Sequence, residues 1–587
     1  MTFFGEKAFS GLRELDFYLF RYHREMEKLV HQKVVRILTS TALLMTLAVT
    51  PGLSHDPINW IKLLILSTGV LSAIALFALN GGVACLGGKT KGIFALYFGL
   101  SAASFLFSSS DPQSSFWGVW GRATGFLSYF CLGLVLILGH IVDEHTSISR
   151  VLKIFCIVSI VEICYMMVQY LNRDFFAWTR NETFGTLGNI NFSSAFVGIS
   201  LAASIPWITS QYREKRKSRL IFIAYGTILI VGVFILIQSG SVQGLIMVAY
   251  ASVIWISLEF STVLRINLVV KYLMVALLNL SFIFLIFTTT SKSFLGGVFF
   301  QDTMAYRRDY WVAAKNMILE NPWFGVGFDS YGLWYRSSRD LLGATRTNVN
   351  RVSDSAHSVF LDMSVGAGIG MMALMILIIF MTFKQVVNVV HDRAEYRWKV
   401  VSLAWLAYFP QFIFGINQLG VGIWGWLFMG ILVFGYPRAT HQNNSSTKEG
   451  QFRLKTKDVR ETQLPASKFL MTSAAGLLGF VLAFPPFFAD TRFQGLYPNG
   501  SLEELEKVAT SWGGSRYARE RVLELATQRG QGEAALGIAI RIVDRYPRSD
   551  YAWRVIFDLK VTPEALRKKA ELKVNQIDPY LLRFPPK

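Results

Sequence analysis

The stretch Gly420-Val-Gly-Ile-Trp-Gly-Trp-Leu-Phe-Met-Gly-Ile-Leu-Val-Phe-Gly-Tyr436 contains no charged residue. A helix of roughly 17 to 25 apolar residues crosses a hydrocarbon core of about 30 Å. Such stretches recur along most of the chain, and we interpret about thirteen as transmembrane helices. They lie near 34–51, 60–80, 92–109, 125–142, 150–171, 191–209, 219–238, 243–259, 267–289, 357–383, 398–416, 420–436 and 468–488. The sequence therefore predicts an all-α, multi-pass membrane protein.

The composition supports this class. Of the 587 residues, 52% are hydrophobic and only 17% are charged, whereas soluble domains carry about a quarter charged residues. The formal charge of +19 comes mainly from Lys and Arg in alternate short connections, so we attribute it to membrane topology and expect no nucleic-acid partner. The four cysteines fall within or beside predicted spans, and they indicate neither a disulfide framework nor a cysteine metal site.

The distribution of basic residues also predicts which connections face the cytoplasm. The basic connections are 1–33, 81–91, 213–219, 260–271, 384–399 and 437–467. An odd number of spans then places the C-terminal segment outside, together with a long loop at 290–356. This loop contains arginines, but long loops escape the charge rule.

These patterns divide the chain into five parts. They are an interfacial N-terminal segment (1–33), a multi-span body with its outer loop (34–436), a polar cytoplasmic linker (437–467), a final span (468–488) and an outer tail (489–587). In the tail, Ser501 to Glu504 form a capping box, and short apolar-periodic segments follow. The tail resembles tetratricopeptide-type repeats by composition, with a generic helical bundle as the alternative. Either surface would bind an envelope protein partner.

Two histidines of the eight, His55 and His357, lie on the outer side of the membrane in this topology. We interpret His55 as an interfacial polar residue. For His357, two interpretations stay open: a polar cap on the next span, or a proton acceptor. We expect that helix to start near Ser355, so His357 in its first turn would meet an unfavourable dipole when protonated, which lowers its pKa.

The outer loop also carries the string Tyr306-Arg-Arg-Asp-Tyr-Trp311. Arg307 and Arg308 are either a solvated basic pair or an anion site. The segment 304–318 has the spacing of a helix along the membrane surface with Trp311 facing the lipid. In that setting both guanidinium groups would reach lipid-linked phosphates, which arginine binds in a bidentate manner.

Two shorter outer loops offer further candidates. One brings Arg122 to the mouth of a span, and the other brings Arg180, Asn189 and Asn191. Glycines in both loops permit close approach to a ligand, although turn capping explains the two asparagines equally well. These loops hold no Asp-rich metal pair, and the cytoplasmic segments hold no Walker-type loop, so we expect no cofactor.

The order of these motifs resembles the bacterial O-antigen ligases and O-antigen polymerase-like membrane proteins. The resemblance covers roughly 30–436. Its motifs are Arg307-Arg-Asp-Tyr-Trp311, Asn321-Pro-Trp-Phe-Gly-Val-Gly327, Ala356-His-Ser-Val-Phe-Leu361 and the loops at 121–125 and 185–191. It implies a GT-C-type, metal-independent, inverting glycosyltransferase in the bacterial inner membrane. Its donor would be an undecaprenyl-diphosphate-linked glycan, and its acceptor a hydroxyl on a lipid or glycan, or on a protein.

The resemblance also implies residue roles. Arg307 would contact the diphosphate with Arg308 as its neighbour, and His357 would be the general base. We add Tyr306, Trp311, Asp329 and Tyr331 to the substrate-binding candidates.

Two positions depart from the family pattern. Gln243 stands where many ligases have a second arginine, so Arg122 or Arg180 would have to replace its charge. Ser358 follows His357 where an asparagine is usual, which leaves Asp354 as the candidate orienting partner.

Other functions remain open at this stage. A repeat-unit polymerase or a protein O-oligosaccharyltransferase would share the same motifs. A transporter or non-catalytic scaffold would instead predict charges buried near span centres and broken helices in matching halves. Charges near the span centres are scarce in this sequence.

Overall fold

The computed structural model describes residues 27–108, 111–142, 145–176, 178, 182–214, 219–290, 302–346, 349–440 and 465–581. Regular structure in these ranges is helical throughout. Nine of the described helices are long and apolar enough to cross a membrane, and two shorter apolar helices, Phe126–Ile141 and Gly226–Gln238, accompany them. The structure thus supports the predicted all-α membrane class, while the count of about thirteen spans stays a prediction.

The helices before the outer loop are α1 (27–47), α2 (Asn59–Leu79), α3 (Gly82–Cys85), α4 (Gly88–Ser108), α5 (Pro112–Trp117), α6 (Phe126–Leu138), α7 (His145–Tyr170), α8 (Ile190–Glu214), α9 (Arg219–Gln238), α10 (Val242–Val263) and α11 (Leu268–Thr288). The described part of the outer loop forms α12 (Asp302–Glu320), α13 (Tyr331–Ser338) and α14 (Leu341–Thr345). The helices that follow are α15 (Val359–His391), α16 (Tyr396–Tyr408), α17 (Pro410–Phe414), α18 (Leu419–Gly430) and α19 (Ala466–Leu496). Helix α18 continues through the π-helical turn Ile431–Gly435, and the stretch Leu419–Thr440 is one of the nine long apolar helices. The helix predicted at 304–318 is therefore present within α12.

Helix α15 is interrupted inside the bundle, at Gly368, whose φ of 79° and ψ of −176° are not helical. The backbone of the loop after α12 forms hydrogen bonds with the backbone of α15 on both sides of this break. Val326 N donates to Val365 O at 2.8 Å, and Ile369 N donates to Pro322 O at 2.8 Å. A broken helix at membrane depth is tolerated where protein groups satisfy its freed backbone atoms. The string Asn321 to Gly327 therefore has a structural role, since it fills the gap in α15.

We expect Gly325→Ala to destabilise the protein strongly. Gly325 has a φ of +70°, and an added Cβ would lie 2.2 Å from Val365 O. Left-handed strain alone costs about 1 to 3 kcal/mol, and the backbone clash adds to it. The measurement is the thermal unfolding midpoint in detergent. Gly92→Ala is the control, because open space surrounds Gly92. Equal midpoints for the two variants would contradict the role of the pairing.

The tail forms the helices α20 (Leu502–Ala509), α21 (Arg516–Gln528), α22 (Gly532–Arg545), α23 (Asp550–Asp558) and α24 (Glu564–Ile577). They share one hydrophobic cluster, in which Leu505, Val522 and Ile556 are fully buried. The predicted capping box of Ser501 and Glu504 is present at the start of α20.

The tail packs against the outer loop through buried ion pairs. Asp578 accepts hydrogen bonds from Arg336 at 2.7 Å and from Arg339 at 2.7 Å. Arg339 and Asp578 have side chains only 0% and 1% exposed. Arg548 lies over the Trp334 ring, with 3.6 Å between the guanidinium carbon and the ring centroid. The loop and the tail therefore lie at the same end of the bundle, where α15 begins. We call it the site end.

The joint between α19 and the tail surrounds His55 with aromatic rings. These rings belong to Trp120, Phe493, Tyr497 and Tyr517. His55 Nδ1 also lies 2.8 Å from Gln494 Oε1, within hydrogen-bond distance. His55, expected to be an interfacial polar residue, thus lies at the contact between body and tail.

Asp578→Asn should loosen the tail. Removing one partner of a buried ion pair costs about 3 to 5 kcal/mol, because the remaining charge stays buried without compensation. Limited trypsin digestion of the detergent-solubilised protein should then release tail fragments faster than in the wild type. Asp544→Asn is the matched control, since Asp544 is exposed on the same tail. An unchanged digestion rate for Asp578→Asn would show that the ion pairs do not hold the tail.

Helix α19 runs along α2, although the two are far apart in sequence. Ser67 Oγ donates to Gly479 O at 2.9 Å. A Cβ on Gly479 would lie 2.3 Å from Ser67 O, and a Cβ on Gly476 would lie 2.3 Å from Ser72 Oγ. Small residues let the two backbones approach closely, as is common between membrane helices.

Two buried charges, Lys62 and Glu162, have hydrogen-bond partners inside the bundle. Lys62, in the first turn of α2, donates to Met45 O at 2.7 Å and to Thr46 O at 2.8 Å. Glu162, in the last third of α7, accepts from Thr186 N at 3.0 Å and from Thr186 Oγ1 at 2.6 Å. Both charges thus have partners, and neither lies at the middle of its span.

Candidate functional site

His357 lies just before α15, in a turn held by the carboxylate of Asp362. This carboxylate accepts from Ser355 Oγ at 2.7 Å and from Ala356 N at 2.8 Å. The helix begins at Val359 with Ser358 as its N-cap, and His357 has a φ of +51°. The expectation that His357 belongs to the first helical turn is therefore wrong, because Asp362 folds residues 355–357 into a non-helical turn.

The imidazole of His357 packs on the ring of Tyr310 from α12, with the centroids 5.1 Å apart and an interplanar angle of 24°. The pKa of His357 is lowered to about 3, mainly by burial. The nearby charges of Arg122 and Arg307 also lower this pKa, and they outweigh the opposite effect of Asp354. The lowered pKa has the expected direction, but its causes are burial and neighbouring arginines. His357 is therefore neutral at physiological pH and can accept a proton.

Arg307 lies one helical turn before Tyr310 and is held by a carbonyl of α17. Its Nε donates to Phe414 O at 3.2 Å, and the neighbouring carbonyl of Phe412 accepts from Ser358 Oγ at 2.8 Å. The short helix α17 thus positions both Arg307 and the residue after His357. Burial lowers the pKa of Arg307. Among the described residues, no carboxylate pairs with its guanidinium group.

Arg308 has a different environment from Arg307. Its Nη1 donates to Asp340 Oδ2 at 2.6 Å and to Asp309 Oδ1 at 3.1 Å. Asp309 in turn accepts from Arg346 Nε at 2.6 Å. The charge of Arg308 is therefore balanced within the loop, and the adjacent arginines are not equivalent.

Arg122 and Asp354 form a bidentate ion pair. Arg122 Nε donates to Asp354 Oδ2 at 2.6 Å, and Arg122 Nη2 donates to Asp354 Oδ1 at 2.6 Å. Desolvation opposes ionisation of Asp354, but the charge and hydrogen bonds of Arg122 prevail and lower its pKa to about 2. Asp354 therefore binds Arg122 and is not hydrogen-bonded to His357. It acts on the imidazole only through its charge.

Arg351 was missed by the sequence reasoning. Its guanidinium carbon lies 3.6 Å from the centroid of the Tyr306 ring, and its charge also lowers the pKa of His357. The residue is exposed, and the described residues provide no carboxylate partner for it. The run Asn348-Val-Asn-Arg-Val352 has no motif that would have singled it out.

Three other loop candidates hold the site in shape. Tyr331 donates from its hydroxyl to Tyr310 O at 2.8 Å. Asp329 accepts from Val119 N at 2.8 Å, and so fixes the loop that carries Arg122. The expectation that Trp311 faces the lipid is wrong, because Trp311 is buried against the apolar cluster formed by Ile286, Met304 and Phe414.

Three of the remaining candidates, Asn189, Asn191 and Gln243, lie where the start of α8 meets the start of α10. Asn189 Oδ1 accepts from Asn191 N at 2.9 Å, and Asn191 Oδ1 accepts from Ser241 Oγ at 2.8 Å, which agrees with the turn-capping alternative. Gln243 donates to Gln411 Oε1 at 2.5 Å and so joins α10 to α17. Arg180 lies outside the described residues. Within the described ranges, no three His, Cys, Asp or Glu side chains form a group that could hold a metal.

No protein-family model matches the chain, and no curated protein matches it at a significant level.

The His357 imidazole should not titrate between pH 5 and 8 in the ligand-free protein. Its charged neighbours are Arg122, Arg307 and Arg351, opposed by Asp354. Because the folded pKa is below the unfolded value, this residue's contribution to stability is lost as the pH falls from about 6.5. NMR of ¹³C-histidine-labelled protein, assigned with His357→Gln, measures the titration. A midpoint near 6.5 would contradict the described environment.

Proposed function

We propose that the protein is an O-antigen ligase-like glycosyltransferase. It transfers a glycan from a polyprenyl diphosphate, such as undecaprenyl diphosphate, to an acceptor hydroxyl at the outer face of the bacterial inner membrane. The observation that carries the proposal is the neutral His357 beside two cations, Arg307 and Arg351, that lack carboxylate partners among the described residues. A diphosphate supplies the missing negative charge, and arginine binds such an anion with well-directed hydrogen bonds.

The reaction proceeds in one displacement. His357 takes the proton of the acceptor hydroxyl, and the acceptor oxygen forms a bond to the anomeric carbon. The bond between that carbon and the phosphate oxygen breaks on the opposite face, so the configuration inverts. The electron pair leaves with the diphosphate, and Arg307 and Arg351 stabilise its growing charge. The chemistry requires no step through a metal, and metal independence stays a prediction.

Donor binding would make His357 a stronger base. In the free protein burial and, after it, the neighbouring cations lower its pKa to about 3, whereas a general base works best with a pKa near the operating pH. The negative charges of the diphosphate would offset Arg307 and Arg351, and so raise the pKa of the imidazole. Proton abstraction is thereby linked to the presence of the donor.

The placement of the site agrees with transfer at a membrane surface. The loop with Arg307, the turn with His357 and the tail share the site end, and the linker at 437–467 precedes the last span. We assign the site end to the outer face because the opposite end bears the basic connections. A repeat-unit polymerase or a protein O-oligosaccharyltransferase would use the same chemistry with a different acceptor.

Arg307→Gln should reduce glycan transfer by about 100-fold or more, since it removes a group that stabilises the leaving diphosphate. The measurement is the ratio of lipid-linked glycan to transferred product in cells that express the full chain. His357→Ala should produce the same accumulation of lipid-linked glycan.

Lys315→Gln is the matched control, because Lys315 is an exposed cation on the same helix α12. Its transfer should stay within about twofold of the wild type. Full transfer by stably inserted Arg307→Gln and His357→Ala would overturn the proposal and favour a non-catalytic scaffold.

A further inference from the structure

A cavity of about 130 Å³ lies between the tail and the body at the site end. The body contributes Gln113, Trp117 and Trp120, and the tail contributes Arg516, Tyr517 and Tyr546. A cavity that holds a single water needs only about 10 to 15 Å³. This cavity therefore has room for a larger polar molecule. Neither Arg307 nor Arg351 lines it.

Asp354 connects this cavity to the reaction site. Asp354 lines the cavity, and its carboxylate binds Arg122. The Asp354 side chain is 58% exposed despite this ion pair. It therefore offers accessible acceptor oxygens three residues before His357.

Trp60 also lines this cavity and is only 2% exposed. Its indole nitrogen is itself buried, so Trp60 contributes apolar ring surface to the wall.

We propose that this cavity binds a carbohydrate segment of the acceptor and directs its hydroxyl group towards Asp354 and His357. The inference rests on the proposed function and adds the substrate class of the acceptor. The tail thereby completes the binding site. The donor diphosphate occupies the other side of His357, next to Arg307, Arg351 and Tyr306.

The chemistry of the cavity fits a sugar. Pyranose rings expose C–H groups that pack on aromatic faces, and their hydroxyl groups both donate and accept hydrogen bonds. The cavity pairs indole and phenol rings with an amide, a guanidinium and carboxylates, among them Glu520. An acyl chain would form no hydrogen bond with these polar groups, whereas a sugar hydroxyl can both donate to them and accept from them.

The test uses Gln113→Trp in the full-length protein, reconstituted in nanodiscs. The larger side chain should fill the cavity and weaken carbohydrate binding at least tenfold. The probe is a mixture of oligosaccharides released from the host envelope by mild acid, observed by saturation-transfer-difference NMR. Gln113→Ala, which removes the amide without filling the space, should weaken binding several-fold. Gln528→Trp, on the exposed face of the tail, should bind like the wild type.

Binding of geranylgeranyl diphosphate separates this inference from the proposed function. Gln113→Trp should bind this probe within twofold of the wild type, which also shows that the variant folds. Carbohydrate binding that persists in Gln113→Trp, or is absent from the wild type, overturns the acceptor site. Diphosphate binding that does not depend on Arg307 overturns the proposed function itself.

Discussion

The backbone pairing between Pro322 to Gly327 and the interrupted helix α15 is the constraint on which the site depends. Helix α12 carries Arg307, and His357 lies just before α15. The pairing joins the loop at the end of α12 to α15. Without it, the carbonyls freed at the break would lie unpaired inside the bundle, at a cost of several kcal/mol each. Arg307 and His357, which belong to separate segments, are thus held in fixed positions by backbone pairing that the apolar interior requires.

The class of the fold was predictable because long apolar stretches have few alternatives in a bilayer. The capping box at Ser501 and the helix at 304–318 also follow from local patterns. The break at Gly368 was not predictable, since a glycine in an apolar run does not reveal whether another segment will pair there. The span that was predicted as 398–416 divides at Pro410, where proline removes a backbone donor.

Within the site, the sequence indicated which residue types matter but not how they are paired. Arg307 and Arg308 are adjacent and look alike, yet only Arg308 meets Asp340. The partner of Asp354 is Arg122, 232 residues away. Such pairings depend on tertiary contacts, which spacing along the chain does not encode. Arg351 lies in the non-helical segment before α15, and its guanidinium group packs on the Tyr306 ring of α12.

The contact between α2 and α19 sets an order for biogenesis. Ser67 and Gly479 are separated by 412 residues, which a ribosome translates in roughly 20 to 80 s at about 5 to 20 residues per second. During this interval the small-residue face of α2 has no helical partner and must be covered by lipid or by an insertion factor. Helix α19 is translated after the other described helices of the bundle and covers this face of α2 only then.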